Sequence, residues 1–201
     1  MRIHPLTVRI VHWTTAFAVI CMMLSGWRIY DASPLFGFTF PPAITLGGWL
    51  AGAIAWHLAA MWLLVLSFVV YLVYGIVTGH FRRRMFPVRP GEVAHDLGLA
   101  LRFRLPHRSG MYNAVQRVFY LGVIVALLGA MASGFAIWKP VQFAPLTAVL
   151  GGYDTARYVH FFCMSAIAAF IVVHIALVAL VPRVLPTMIT GGHLPSGGPA
   201  E

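Results

Sequence analysis

Charge is what this chain has least of: 9% of its 201 residues are charged, and only five are Asp or Glu. Soluble domains carry about 25% charged residues. The shortage excludes a soluble enzyme, a nucleic-acid-binding domain and a disordered chain. Cysteine is scarce too. Cys21 and Cys163 lie in apolar runs with no Cys-x-x-Cys-His context, so they argue for neither a disulfide framework nor a covalently attached haem. What fills the space is apolar: 60% of the residues are hydrophobic and the mean hydropathy is +0.85. The net charge of +9 would suggest nucleic acid in a soluble protein. In a membrane protein it asks instead which side the charges occupy.

A spanning helix needs about 20 mainly apolar residues to cross roughly 30 Å of hydrocarbon. Four stretches qualify: about 11–30, 46–77, 118–138 and 158–181. The second is over-long for one crossing and too short for two. No turn signal interrupts Ala53 to Tyr74, so it reads as one helix that tilts or protrudes. The expected fold is an all-α membrane protein, a four-transmembrane-helix bundle over residues 1–190, with 191–201 as a flexible, Gly- and Pro-rich tail.

Orientation follows from Lys and Arg. The segment between the second and third spans holds Arg82, Arg83, Arg84, Arg89, Arg102, Arg104, Arg108 and Arg117. The segment from Asp31 to Thr45 has none, and that from Lys139 to Arg157 has only its two end residues. The basic segment is therefore expected in the cytoplasm, with the N- and C-termini beside it. The N-terminus resembles a secretory signal, but Trp27, Arg28 and Tyr30 replace the small cleavage-site residues. A retained helix is expected. Within the basic segment, Glu92 to Arg104 mixes apolar and charged residues; a short surface helix and a solvated loop both stay open.

Of nine histidines, His12, His57, His160 and His174 fall within or beside the spans. Ionisable groups in a bilayer are costly and so are functional candidates. A lone one can simply bond a neighbouring helix; four at coherent depths need more. His57 lies twenty residues before Val77 and His160 twenty-one before Val181, the cytoplasmic ends of their spans. At 1.5 Å per residue both sit roughly 30 Å above that boundary, while His174 is roughly 10 Å in and His12 is comparably low. His160 and His174, fourteen residues apart, face the same way, because fourteen steps of about 100° fall some 40° short of four turns. One helix can thus offer a ligand to each of two stacked sites about 21 Å apart. Paired imidazoles from facing helices suit six-coordinate b-type haem, an electron-transfer centre. His12 and His174 would hold an inner haem, His57 and His160 an outer one. Gly26, Gly48, Gly52, Gly129 and Gly134 offer room for a ring or for plain helix packing. Met22, Met23, Met61 and Met164 read as packing.

These residues resemble a known family. Arg9-Ile-Val-His12-Trp13 followed by Ser25-Gly26 is similar to the first helix of bacterial cytochrome b561 and of hydrogenase or formate dehydrogenase cytochrome b subunits. The His160-x13-His174 helix is similar to their fourth. Trp56-His57 and the segment Gly47-Gly48-Trp49-Leu50-Ala51-Gly52 resemble thiosulfate-reductase-type cytochrome b subunits. The resemblance spans about Arg2 to Val181 and implies a di-haem cytochrome b of the inner membrane. Such a chain passes electrons between the quinone pool and a periplasmic oxidoreductase partner, a molybdenum-dependent one by resemblance alone. Tyr112-Asn113-Ala114-Val115-Gln116-Arg117 is similar to the start of the third helix in formate dehydrogenase cytochromes, which implies a quinone site at Asn113 and Gln116. Helix capping is the competing role for that pair.

Haem propionates favour arginine at the membrane boundary: Arg9 and Arg117 for the inner haem, Arg28 and Arg157 for the outer one. Arg9 reads rather as flanking charge, whereas Arg28 and Arg157 defy the charge bias and call for an anion. Phe36, Phe38, Phe40, Phe143 and Tyr153 suit an interfacial belt better than a docking face. Two other functions are weighed. One is a stand-alone, quinone-reducing superoxide oxidase like small b561 proteins. The other is a zinc or copper transporter, disfavoured by spans without acidic residues. Direction of electron flow, quinone type, partner identity and homodimer formation stay open.

Overall fold

A computed structural model describes residues 5–81, 85, 87–101, 113–182 and 185–192. The described residues form helices and connecting turns, with no strand among them. The helices are α1 (Leu6–Ala32), α2 (Leu50–Val77), α3 (Pro90–Leu101), α4 (Ala114–Trp138), α5 (Ala144–Val149), α6 (Tyr153–Leu180) and α7 (Leu185–Thr190). A 3-10 turn covers Pro42–Ile44. α1, α2, α4 and α6 are each long and apolar enough to cross a membrane, so the chain is an all-helical, multi-pass membrane protein. Only a minor share of each apolar helix is buried against protein. Trp13, Phe17, Val70, Ile76, Val125 and Val172 point outward. Such a surface is stable in hydrocarbon, where helices need only satisfy their own backbone.

The ends of α1 and α4 and the start of α2 have local causes. α1 stops at Ser33, whose N–H bonds the Tyr30 carbonyl at 3.0 Å. α4 stops at Lys139 in the same way, on Phe135 at 3.0 Å. Both stops directly precede a proline, Pro34 and Pro140, which disfavours helical backbone in the residue before it. α2 does not begin at Leu46. Residues 46–49 are a bend in which Gly47 and Gly48 have φ of 105° and 69°, and helix starts at Leu50. The α2 helix is still one uninterrupted rod of 28 residues, about 42 Å long. Gly48 therefore serves the bend, and a Cβ on Gly52 would meet the Gly47 carbonyl and the Trp49 ring. A positive φ is open to glycine and costly to other residues.

The segment left open between helix and loop is helix α3. Most of the basic segment, including Arg82, Arg83, Arg84, Arg102, Arg104 and Arg108, lies outside the described residues, as do Tyr112 and the tail from residue 193. The chain divides into two compact units, Met1–Tyr74 with Val181–Glu201, and Gly75–Leu180.

In the first unit the segment after α1 folds back on its end. Phe40 stacks on Trp27 at 4.8 Å, Tyr30 meets Phe38 at 5.4 Å, and Phe40 N–H donates to Asp31 Oδ1 at 2.8 Å. Phe38 and Phe40 are thus pinned onto α1 as part of a local aromatic clasp. In the second unit α4 packs along α6. α3 lies against the start of α4, where Ala114 N–H donates to Asp96 Oδ2 at 2.9 Å.

Candidate functional site

His57 sits in α2 and is held by α1. Its Nδ1 lies 3.0 Å from the Met22 carbonyl oxygen and 3.1 Å from Ser25 Oγ. A carbonyl oxygen can only accept, so Nδ1 carries the proton. Ser25 is fully buried, and its hydroxyl donates to the Cys21 carbonyl at 2.6 Å. With its own hydrogen so committed, Ser25 Oγ is a second acceptor for the same Nδ1–H. The imidazole lone pair therefore stands on Nε2, the nitrogen a metal takes in this tautomer.

His160, in α6, is held by α4 in the same manner. Its Nδ1 lies 2.9 Å from the Ala130 carbonyl oxygen and 3.1 Å from Ser133 Oγ. Ser133, also fully buried, donates to the Gly129 carbonyl at 2.6 Å. Beside each ring the following glycine leaves space. A Cβ on Gly26 would stand 3.2 Å from His57 Cε1, and one on Gly134 would stand 3.3 Å from His160 Cε1. These two glycines therefore make room for the imidazoles. Gly129 instead faces Cys163 Sγ, at 2.7 Å from where its Cβ would be.

His12 and His174 are half-buried. His12 lies edge-on to Trp13 at 5.2 Å, and His174 stacks on Phe170 at 5.8 Å with the planes 10° apart. His160 and His174 share the unbroken helix α6, so their rise is about 21 Å. His12 and His57 fall in one unit, His160 and His174 in the other. Among the described residues no three of His, Cys, Asp and Glu gather into a cation-binding group, the number of protein ligands a catalytic zinc ion takes.

Asn113 and Gln116 form a reciprocal cap at the start of α4. Asn113 Oδ1 accepts from Gln116 N–H at 2.8 Å, and Gln116 Oε1 accepts from Asn113 N–H at 3.2 Å. Their amide oxygens thus serve the helix, a capping box. The donor ends of the two amides are the atoms a quinone carbonyl would use. Asn113 also lines an open recess of about 400 Å³ together with Glu92, His95, Asp96 and Arg117.

The four arginines differ. Arg117 Nη1 donates to the Pro87 carbonyl at 2.8 Å, while Arg28 and Arg157 are half-buried. Arg9 is the surprise. Its Nε and Nη1 are buried with no hydrogen-bond partner among the described residues, beside a recess of about 360 Å³ lined also by Trp13, Thr14 and Met188. Buried guanidinium donors without an acceptor are costly. A carboxylate would satisfy them.

The sequence marks Ser25 only as part of a family resemblance and does not single out Ser133. A signal was there: Met23-Leu24-Ser25-Gly26 and Met131-Ala132-Ser133-Gly134 share Met-x-Ser-Gly. It is four residues long, and only the fold shows that each copy faces a histidine.

A profile of the prokaryotic cytochrome b561 family matches residues 3–191. The chain is 49% identical over 190 residues to the putative protein-methionine-sulfoxide reductase subunit YedZ1 of Azospira oryzae, covering 94% of this chain and 96% of that one. It is 25% identical over 190 residues to the probable Ni/Fe-hydrogenase B-type cytochrome subunit of Bradyrhizobium diazoefficiens, covering 86% of this chain and 75% of that one. With four apolar helices and two histidines held in metal-ready form, the chain belongs to the prokaryotic cytochrome b561 family, whose members bind haem b and transfer electrons in membranes.

Proposed function

We propose that this chain is the inner-membrane cytochrome subunit of a protein-methionine-sulfoxide reductase, carrying electrons from the quinone pool to a periplasmic catalytic subunit. The observation that carries the reading is the matched seating of His57 and His160, each with Nδ1–H on a backbone carbonyl. That is the arrangement of a ligating imidazole, in which the second ring nitrogen is spent on orientation. The partner is chosen on the 49% relative, whose name gives a sulfoxide reductase. The 25% relative would give a hydrogenase and matches less of its own length.

The domain is residues 1–190, with both termini and the basic segment in the cytoplasm. His57 and His160 would hold an outer haem, and His12 and His174 an inner one. Haem b held by these imidazoles would supply one-electron exchange. The residues of the chain do the rest. Ser25, Ser133 and the carbonyls beneath them set the tautomer and the ring planes of the outer pair. Gly26 and Gly134 leave room for those rings, where a Cβ would crowd Cε1. Arg9, with two buried donors lacking acceptors among the described residues, holds a propionate of the inner haem, and Arg117 stands by it. Arg28 and Arg157 do so at the outer level. Asn113 and Gln116, with their amide hydrogens, orient a quinone head group at the cytoplasmic end of α4.

Haem content tests the reading. Pyridine haemochrome analysis of the purified chain is expected to give two haems b, and fewer than one would overturn it. His57→Ala and His160→Ala are each expected to abolish the same haem spectrum and spare the other. Loss of different haems would refute the pairing.

A further inference from the structure

The seating of His57 and of His160 is one device built twice. In each copy a helix ends directly before a proline, after Ser33 and after Lys139. A pair of glycines with positive φ then precedes the next long helix, Gly47 and Gly48 at 105° and 69°, Gly151 and Gly152 at 85° and 95°. Four residues before each histidine stands a fully buried alanine, Ala53 and Ala156, which lets the helix approach its partner closely. The histidine then meets Met-x-Ser-Gly on the preceding helix: Nδ1 to the serine Oγ at 3.1 Å in both copies, and to the carbonyl three residues before that serine at 3.0 and 2.9 Å. The serine donates to the carbonyl four residues before it, at 2.6 Å in both. The two sequence distances from serine to histidine differ, 32 and 27 residues, so the likeness lies in the geometry of the contact.

We infer that Ser25 and Ser133 are paired positioning residues that set the reduction potential of the one haem ligated by His57 and His160. The inference rests on the outer-haem assignment above. The chemistry is a shared proton. Nδ1–H divides between a carbonyl oxygen and a hydroxyl oxygen that has already given its hydrogen away. Two acceptors pull the Nδ1 proton harder than one, which makes Nε2 a more basic ligand. A more basic ligand favours ferric over ferrous iron. Because both imidazoles are seated alike, the two serines would act on one centre, in one direction, and with similar weight.

The test is potentiometric titration of the purified, haem-loaded chain, with its ferric paramagnetic resonance spectrum as a second readout. Ser25→Ala and Ser133→Ala are each expected to raise the potential of the same haem. The size is roughly fivefold in the reduction equilibrium, the worth of one ordinary hydrogen bond, or about 40 mV at 59 mV per tenfold for one electron. The double variant is expected to show about twice the shift, with the other haem unmoved. Ser25→Cys and Ser133→Cys nearly keep the buried volume but accept weakly. They are expected to show an intermediate shift even where an alanine variant fails to accumulate. Potentials unmoved in variants that keep their haem would overturn the inference, as would shifts in two different haems. If His57→Ala keeps both haems, the ligand assignment itself fails. If His57→Ala loses one haem while Ser25→Ala leaves its potential unmoved, only the positioning role fails.

Discussion

Asn113 has one role that is observed and one that is proposed, and a substitution can separate them because the cap uses its oxygen and the quinone contact would use its nitrogen. The oxygen accepts from Gln116 N–H at 2.8 Å and closes the start of α4, while the quinone role needs the amide hydrogens. Asn113→Ala removes both. Loss of an N-cap acceptor costs about 1 kcal/mol, within a range of about 0.5–2. The first turn keeps a second acceptor, since Asp96 Oδ2 takes Ala114 N–H at 2.9 Å and its carboxylate suits a helix N-terminus. The loss is therefore local, a roughly fivefold faster opening of the first turn at about 1 kcal/mol. Asn113→Ser keeps a capping oxygen and discards the amide. Hydrogen exchange of the amides of residues 114–118 reads the cap, and the rate of haem reduction by quinol reads the ligand. Alanine is expected to fail on both counts. Serine is expected to retain the protection and lose quinol-driven reduction by about tenfold, as for one hydrogen bond to the head group and its orientation. Serine reducing haem at the parent rate would refute the quinone role and leave Asn113 as a cap alone.

Gly47→Ala is expected to prevent accumulation of haem-loaded protein in membranes. Its φ of 105° is strained for alanine, and the new Cβ would meet the Ala53 backbone, costing at least about 1–3 kcal/mol; haem absorbance per unit of membrane protein measures it. Gly134→Ala would place a methyl carbon 3.3 Å from His160 Cε1, so the ring must give by a few tenths of an ångström. The expected result is a shifted ferric resonance for one haem with content kept, and an unaltered spectrum would show the cradle to be slack. Gly98→Ala on α3, where a Cβ meets nothing within 4 Å, is the control. It is expected to stabilise by about 0.5–1 kcal/mol in thermal unfolding, the ordinary gain of alanine over glycine in a helix.

The sequence by itself determined the solvent and the number of crossings. Hydropathy and charge are properties of a segment taken alone, so the spans near His12, His57, Asn113 and His174 were legible without a fold. The four histidines were legible for the same reason, as costly groups in apolar runs. So were the fourteen residues from His160 to His174, because one helix has a fixed rise and turn. Segment edges were not, as Leu46 to Trp49 shows: the run stays apolar there, yet two positive-φ glycines make it a bend.

Only the tertiary structure decided how a histidine is held. Ser25 and His57 are 32 residues apart and Ser133 and His160 are 27 apart, on helices whose rotation about their own axes no local pattern sets. A serine in an apolar helix bonds its own preceding turn, and both serines do so. Nothing in that bond announces that the oxygen also faces an imidazole from another helix. Arg9 makes the same point with charge. In the sequence it was one more flanking cation, and only packing revealed that its Nε and Nη1 are shut away without an acceptor among the described residues. Composition is a sum over residues and survives any rearrangement of the chain, whereas a hydrogen bond between helices exists only at one distance and angle, and packing alone supplies those.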